Sequence, residues 1–86
     1  MRIYDMEDFQ HVCRACLVDW YNDNMERHIE YEDTFVVWAV KVLQNFKALC
    51  STTIDGDGIY AEFTYNGDKD ELYCDYYCKK ENVVER

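Results

Sequence analysis

The sequence contains no proline and only three glycines among its 86 residues. No Ser/Gly-rich linker, low-complexity segment or internal repeat divides the chain into parts. A chain of this length is expected to form one domain, so residues 1–86 are predicted to fold as a single domain. A Gly-rich phosphate loop is also missing, and nothing in the sequence therefore predicts nucleotide chemistry of that type.

Long apolar runs are absent as well. No segment approaches the roughly 20 apolar residues that a membrane-spanning helix needs, and residues 1–8 lack the apolar region of a signal peptide. The five cysteines are an odd number in a chain without an export signal, which favours free thiols in a reducing compartment. We therefore expect a cytoplasmic protein that has no membrane partner.

Basic residues are few relative to acids. The chain has 9 Lys and Arg against 18 Asp and Glu, and its formal net charge is −9. Such a charge repels phosphate backbones, so direct binding of nucleic acid is not expected, and it favours a partner with a basic surface. Eight tyrosines supply side chains with a large apolar body and a polar tip, which suit a half-buried face or a binding surface.

The first periodic segment predicts an amphipathic helix of about 17 residues that begins after an N-cap at Asp5. The apolar positions that form its stripe are Phe9, Val12, Cys13, Cys16, Leu17 and Trp20. Residues 22–34 lose this period and are rich in acids. We expect a loop there, with at most a turn or a short strand at 28–31.

Residues 35–50 fit two structures. Several of their apolar residues follow a helical stripe, but the repeated valines favour strands. The hairpin interpretation places strands at 35–43 and 46–53 around a tight turn at Gln44 and Asn45, where Asn tolerates a positive φ. The hairpin is preferred, and a helix over 35–50 is the alternative.

Residues 59–80 predict a second hairpin with alternating faces. A four-residue loop at 66–69 pairs Phe63 with Leu72 and turns Tyr60, Tyr73 and Tyr77 outward. The predicted fold is therefore α+β, with an N-terminal amphipathic helix packed on an antiparallel β-meander of about four strands. Two helices plus a C-terminal β-hairpin form the alternative.

No catalytic site is predicted. His11 and His28 are the only histidines, and no recognisable nucleophile motif accompanies either of them. The segment from Asp55 to Gly58 resembles the opening of a calcium loop, but the later ligand positions of that motif do not hold suitable oxygens. A plain turn is expected there, and the chain is not expected to be an enzyme.

The cysteines are weak candidates for a metal site. Cys13, Cys16, Cys74 and Cys78 could supply four thiolates to zinc if the helix met the last strand. The first two lie on the apolar stripe of the helix, however, where small thiols pack as hydrophobic side chains. We therefore expect neither a metal nor a cofactor.

Two acidic segments, at 22–33 and 55–75, form a negative patch if they lie on one side of the molecule. Outward tyrosines beside such a patch would serve as rigid anchors for a partner. The simpler interpretation is a solvated rim, because charge runs usually have that role. The candidate partner-binding residues are Asp23, Glu26, Glu30, Glu32, Asp68, Asp70, Glu71, Asp75, Tyr60, Tyr73 and Tyr77.

Three stretches carry a resemblance to a known family. They are residues 36–49 with Leu-Gln-Asn-Phe-Lys-Ala-Leu at their end, the tetrapeptide Asp-Gly-Ile-Tyr at 57–60, and residues 64–73 with Thr-Tyr-Asn-Gly-Asp-Lys at their start. Over roughly residues 5–82 the chain resembles a family of small uncharacterised proteins encoded by phages and prophages of Gram-positive bacteria. This family offers no activity or catalytic residue to transfer.

The resemblance implies a short phage gene product that acts in the cytosol of the host. Together with the charge and size, it predicts a non-enzymatic protein that binds and inhibits a host protein. A defence nuclease such as a CRISPR effector is a suitable target, because acidic side chains imitate the nucleic acid that fills its basic channel. This is an anti-CRISPR-like role. The alternative is a homodimeric structural or assembly module of a phage, with no inhibitory role.

Overall fold

A computed structural model describes residues 2–54 and 56–80, and in these residues one helix packs on a four-stranded antiparallel sheet. The elements are α1 at Met6–Asn24, β1 at Thr34–Val42, β2 at Asn45–Thr52, β3 at Ile59–Asn66 and β4 at Glu71–Cys78. The strands follow one another in the order β1-β2-β3-β4, which is a meander. The predicted α+β fold is confirmed, and the alternative with two helices is wrong.

Helix α1 begins where the sequence predicts. The side chain of Asp5 accepts a hydrogen bond from the backbone N–H of Asp8 at 2.8 Å, so it caps the first turn. The fully buried positions of α1 are Phe9, Cys13, Leu17 and Tyr21. Tyr21 was not part of the predicted stripe. The helix also continues to Asn24, three residues into the expected loop.

The segment between α1 and β1 is tied to the helix by polar contacts. The side chain of Asn22 bonds both the N–H and the C=O of Ile29, at 2.8 and 3.0 Å. Arg14 donates to the carbonyl oxygens of Tyr31 and Thr34, at 3.1 and 2.8 Å. Of the expected turn or short strand, the turn forms, as the 3₁₀ turn Tyr31–Asp33.

The first hairpin confirms the preferred interpretation of residues 35–50, but its turn lies one residue earlier than predicted. Val42 pairs with Asn45, so the turn consists of Leu43 and Gln44. Leu43 takes the positive φ of 57° that was expected of Asn45. The amide oxygen of Asn45 instead accepts a hydrogen bond from the N–H of Gly67 at 3.0 Å, which places Asn45 in the strand.

The second hairpin has the predicted loop length but a different register. Tyr65 pairs with Leu72 and Phe63 pairs with Cys74, a shift of two residues from the predicted pairing. The loop is therefore Gly67 to Asp70. The side-chain oxygen of Asn66 accepts from two N–H groups inside the loop, at 3.0 and 3.2 Å, and so fixes this later turn. A shift of two leaves each side chain on its predicted face.

The core lies between α1 and one face of the sheet, which we call the inner face. Its buried strand residues are Phe46, Ala48, Cys50, Ile59, Ala61, Phe63 and Tyr65. Phe9 of α1 stacks on Phe46 with ring centroids 5.1 Å apart, and Trp20 stacks on the half-buried Tyr76 at 4.6 Å. Burying each large side chain contributes about 1.5 to 3 kcal/mol. Within the described residues no helix or strand covers the opposite, outer face.

Candidate functional site

The outer face of β3 and β4 carries three exposed tyrosines. Tyr60, Tyr73 and Tyr77 are 38%, 48% and 42% exposed, and all three point away from α1 as the strand alternation predicts. Tyr60 and Tyr77 are paired across the two strands, and their rings stack with centroids 5.0 Å apart and planes at 14°. A stacked pair loses little conformational freedom on binding, so it offers a preorganised contact surface.

Three carboxylates lie among these tyrosines. Glu62 and Asp75 face each other across β3 and β4, and Glu71 accepts a hydrogen bond from the hydroxyl of Tyr73 at 2.8 Å. Lys47 forms an ion pair with Glu62 at 3.5 Å. We call the following set the acidic aromatic surface: Tyr60, Glu62, Glu71, Tyr73, Asp75 and Tyr77.

Two tyrosines of this surface, Tyr73 and Tyr77, have a raised pKa. Burial raises the pKa of Tyr77, and the nearby charges of Asp75 and Glu62 raise it further. The hydrogen bond to Glu71 raises the pKa of Tyr73. At neutral pH the surface therefore presents hydroxyl donors next to carboxylate acceptors.

The predicted acids of the β3–β4 loop have partners within the protein. The side chain of Asp68 accepts a hydrogen bond from the amide of Gln44 in the other hairpin turn. Asp70 accepts from the hydroxyl of buried Tyr65 at 2.5 Å, and this bond holds the pKa of Asp70 below its ordinary value. Asp70 is therefore a structural residue of the loop, although sequence reasoning placed it among the binding residues.

The acids between α1 and β1 lie at the opposite end of the sheet. The start of α1 adjoins the β3–β4 loop, since the N–H of Ile3 donates to the hydroxyl of Tyr65 at 3.2 Å. The end of α1 adjoins the β2–β3 connection, where the hydroxyl of Tyr21 donates to Asp57 at 2.9 Å. The length of an eight-residue strand, roughly 26 Å at about 3.3 Å per residue, separates the two ends.

The acids of the β3–β4 loop, Asp68 and Asp70, therefore do not form one patch with the acids that follow α1. The acids at the far end are Asp23, Glu26, Glu30 and Glu32, of which Glu30 caps the 3₁₀ turn together with Asp33. Of the predicted acids, Glu71 and Asp75 lie beside the outward tyrosines. Glu62 was missed, although its alternation with Tyr60 in the predicted strand could have identified it.

Sequence reasoning also missed the apolar half of the outer face. Phe35, Trp38, Val40 and Val42 of β1 are 42%, 41%, 47% and 63% exposed. They lie opposite β2 residues of the outer face, with Trp38 paired to Leu49 and Val40 paired to Lys47. The signal was present in β1, which is apolar at nearly every position instead of alternating.

Comparison with known proteins places the chain in a family. A model for a family of unknown function, DUF6275, matches residues 10–86. The chain belongs to this family. No curated protein and no solved structure matches it. The function of this DUF6275 protein is therefore inferred from its own residues.

The cysteines of the DUF6275 protein form two thiol pairs between α1 and the sheet. The hydrogen bond to Cys50 and burial raise the pKa of Cys13, and burial and neighbouring Cys74 raise the pKa of Cys16 to about 11. Cys78 is exposed, and its Sγ lies 3.7 Å from the carbonyl oxygen of Asp57. Of the four predicted candidates, Cys13, Cys16 and Cys74 lie near one another and Cys78 lies apart. The described residues contain no group of three or more ligands placed to hold a metal.

The turn that resembles a calcium loop has a structural role at Asp57. Its carboxylate accepts hydrogen bonds from the hydroxyls of Tyr21 and Thr52, at 2.9 and 3.2 Å, and from the N–H of Ile59 at 3.0 Å. Asp55 lies outside the described residues.

An open cleft of about 470 Å³ adjoins this turn of the DUF6275 protein. Its described lining residues are Tyr21, Asn24, Met25, Glu26, Arg27, Ile54, Gly56 and Asp57. They include no histidine, serine or cysteine, so they offer no nucleophile–histidine pair. In residues 2–54 and 56–80, no helix has both the length and the apolarity to span a bilayer.

Proposed function

We propose that this DUF6275 protein is a non-enzymatic binding protein whose acidic aromatic surface docks on a basic surface of a host protein. The observation that carries the proposal is the convergence of three exposed tyrosines and three carboxylates on two adjacent strands. Rigid aromatic anchors beside charged groups are the composition of binding hot spots.

The chemistry of the surface fits arginine and lysine side chains. A guanidinium can stack on the ring of Tyr60 or Tyr77 and at the same time pair with the carboxylate of Asp75. The protein already contains such a stacking contact without the carboxylate, where the guanidinium of Arg14 lies 4.0 Å from the ring centroid of Tyr31. The net charge of −9 adds long-range attraction to a basic partner and repels nucleic acid itself.

The partner class that we propose is a nucleic-acid-binding protein of the host cytosol, such as a defence nuclease or a CRISPR effector. The basic channel of such a protein binds a flexible polyanion. On the acidic aromatic surface the carboxylates would take the place of phosphates, and the tyrosine rings would take the place of bases. The resemblance to small phage proteins motivates an inhibitory, anti-defence role. The free thiols of all five cysteines are compatible with a reducing compartment.

The test is affinity capture from bacterial lysate at low salt, followed by binding measurements on the purified captured protein. Two variants carry the same change in charge. The first removes three acids of the acidic aromatic surface by Glu62→Gln, Glu71→Gln and Asp75→Asn. The second removes three exposed acids at the far end of the sheet by Asp23→Asn, Glu26→Gln and Glu32→Gln.

The proposal predicts that the first variant binds at least about tenfold more weakly, a loss of roughly 1.4 kcal/mol, whereas the second stays close to wild type. Binding should also weaken as salt rises. Equal losses of affinity in the two variants would show that the partner responds only to the net charge of the protein, and would refute the proposal. Capture of only acidic or neutral proteins would refute it as well.

A further inference from the structure

The β1 edge of the sheet is open and apolar. β1 has nine residues, and among the described residues it pairs on one side only, with β2. Beyond the four exposed side chains of its outer face, Val37 and Leu43 are 51% and 80% exposed. Long, apolar edge strands recruit another strand, and most proteins protect them with charges or by keeping them short.

The part of this edge that is free to pair is the segment from Trp38 to Val42. The register between β1 and β2 shifts at Val37, between the pairs made by Val36 and Trp38, so the ladder is regular only after this bulge. Arg14 occupies the start of β1 by donating to the carbonyl oxygen of Thr34. A pairing partner therefore meets five regular residues with Val40 at their centre.

The charge distribution selects a second copy of the chain as the partner. Between Thr34 and Leu43 there is no carboxylate, and the one charged residue, Lys41, lies 5.6 Å from the ring of Phe46. Two chains of net charge −9 repel each other over most of their surfaces, but along this edge each copy brings only the single positive charge of Lys41. The other edge, β4, carries Glu71 and Asp75, which would face like charges in a symmetric pair.

We infer that β1 pairs antiparallel with β1 of a second copy, so that two four-stranded sheets join into one sheet of eight strands. The two-fold axis passes beside Val40, which faces its own counterpart, and Trp38 faces Val42 of the second copy. This register keeps outer-face side chains together, as the pleat of the strand requires. The two acidic aromatic surfaces then lie at opposite ends of the joined sheet, where their repulsion is smallest.

The exposed apolar area is sufficient for such a dimer. The six exposed side chains of the edge are Phe35, Val37, Trp38, Val40, Val42 and Leu43. A fully exposed aromatic side chain offers about 150 to 250 Å², and a valine or leucine offers less. At the observed exposures they leave on the order of 500 Å² per copy, so complete burial in two copies reaches about 1,000 Å², the lower bound for a specific interface.

The experiment measures mass by sedimentation and light scattering from about 1 to 100 µM, for wild type and for Val40→Glu. Wild type is expected to dimerise in this range, and Val40→Glu is expected to raise the dissociation constant at least about tenfold, because it buries carboxylates next to each other on the axis. Tyr4→Glu is the matched control, since Tyr4 is 75% exposed outside this edge and receives the same charge. The dissociation constant of the Tyr4→Glu dimer should equal that of the wild-type dimer.

Two further measurements separate this inference from misfolding and from the proposed function. Amide hydrogen exchange on the unmodified protein should show protection of residues 38–42 that grows with protein concentration, while the β4 amides stay unchanged. Rising salt should strengthen the dimer by screening the repulsion of the two acidic chains, whereas it weakens binding to a basic partner. A monomer up to 100 µM, or a dimer whose residues 38–42 gain no protection, overturns the inference.

Discussion

A Cβ atom added to Gly67 would overlap the backbone carbonyl oxygen of Gln44 and lie 2.8 Å from its Cβ. The turn of the first hairpin and the loop of the second are therefore in direct backbone contact. The N–H of Gly67 donates to Asn45 at 3.0 Å, and its carbonyl oxygen accepts from Arg2. Gly67 thus joins the two hairpins and the N-terminal segment at one point.

Gly67→Ala is accordingly expected to lower the free energy of unfolding by about 1 to 3 kcal/mol, because one hairpin must move to make room. Urea denaturation followed by circular dichroism measures the change. Gly56→Ala is the control, since a Cβ there meets nothing within 4 Å and its cost comes only from the positive φ of 82°. A Gly67→Ala protein as stable as wild type would contradict the contact.

Acid stability should depend on the bond between Tyr65 and Asp70. The hydroxyl of Tyr65 donates to Asp70 and lowers the pKa of that carboxyl from its usual 3.8. Because the folded pKa is the lower one, the contribution of Asp70 is complete above about pH 3.8 and is lost as the pH falls through the folded pKa. In Tyr65→Phe the free energy of unfolding should therefore decrease less steeply below that pH than in wild type.

The same variant also leaves the buried N–H of Ile3 without its acceptor, which costs about 1 kcal/mol or more at neutral pH. Denaturation midpoints measured between pH 2 and 7 give both effects. Tyr73→Phe serves as the control because its hydroxyl also donates to a carboxylate, that of Glu71, but on the exposed face. If the denaturation midpoints of both variants fall at low pH as steeply as those of wild type, the role assigned to Asp70 is wrong.

Thiol reactivity should distinguish Cys78 from the other four cysteines. Cys78 is exposed, whereas Cys13 and Cys50 are buried and the pKa of Cys16 is raised to about 11. At pH 8 only about one Cys16 side chain in a thousand is the reactive thiolate. A disulfide reagent should modify one thiol of the native protein rapidly and all five after denaturation.

Cys78→Ser should remove the rapid phase, while Cys16→Ser should leave it in place. The time course of absorbance with the reagent gives both rates. A rapid phase that survives in Cys78→Ser would mean that the helix and sheet separate often enough to expose the paired thiols.

Much of the fold follows from local patterns. The stripe from Phe9 to Trp20 predicts α1, and the alternation between Ile59 and Tyr65 predicts which side chains of β3 are buried. Both patterns depend on periods that a single element imposes on its own residues. The ends of the elements were less accurate, since Tyr21 was missed and the first turn was placed at 44–45 instead of 43–44.

The candidate site was only partly predictable for the same reason. Tyr60, Tyr73 and Tyr77 point outward because side chains alternate between the two faces of a strand. A register shift of two residues leaves each of them on the same face. The partners of Asp70 and the separation of the acidic segments depend on which ends of the elements meet. These are tertiary contacts between residues far apart in the chain, and the periodicity of a single segment does not predict them.

The sequence alone therefore determined one amphipathic helix, two hairpins, and an acidic, tyrosine-rich exterior, because each of these properties belongs to a continuous segment. Only the tertiary structure decided that β1 is an open, apolar edge of the sheet. It also decided that Glu62 joins Asp75 beside the tyrosines, while Glu26 lines the cleft beside Asp57. The physical reason is that α1 buries one face only, and contacts such as those of Gly67 with Gln44 and Tyr65 with Ile3 fix the orientation of the helix on that face.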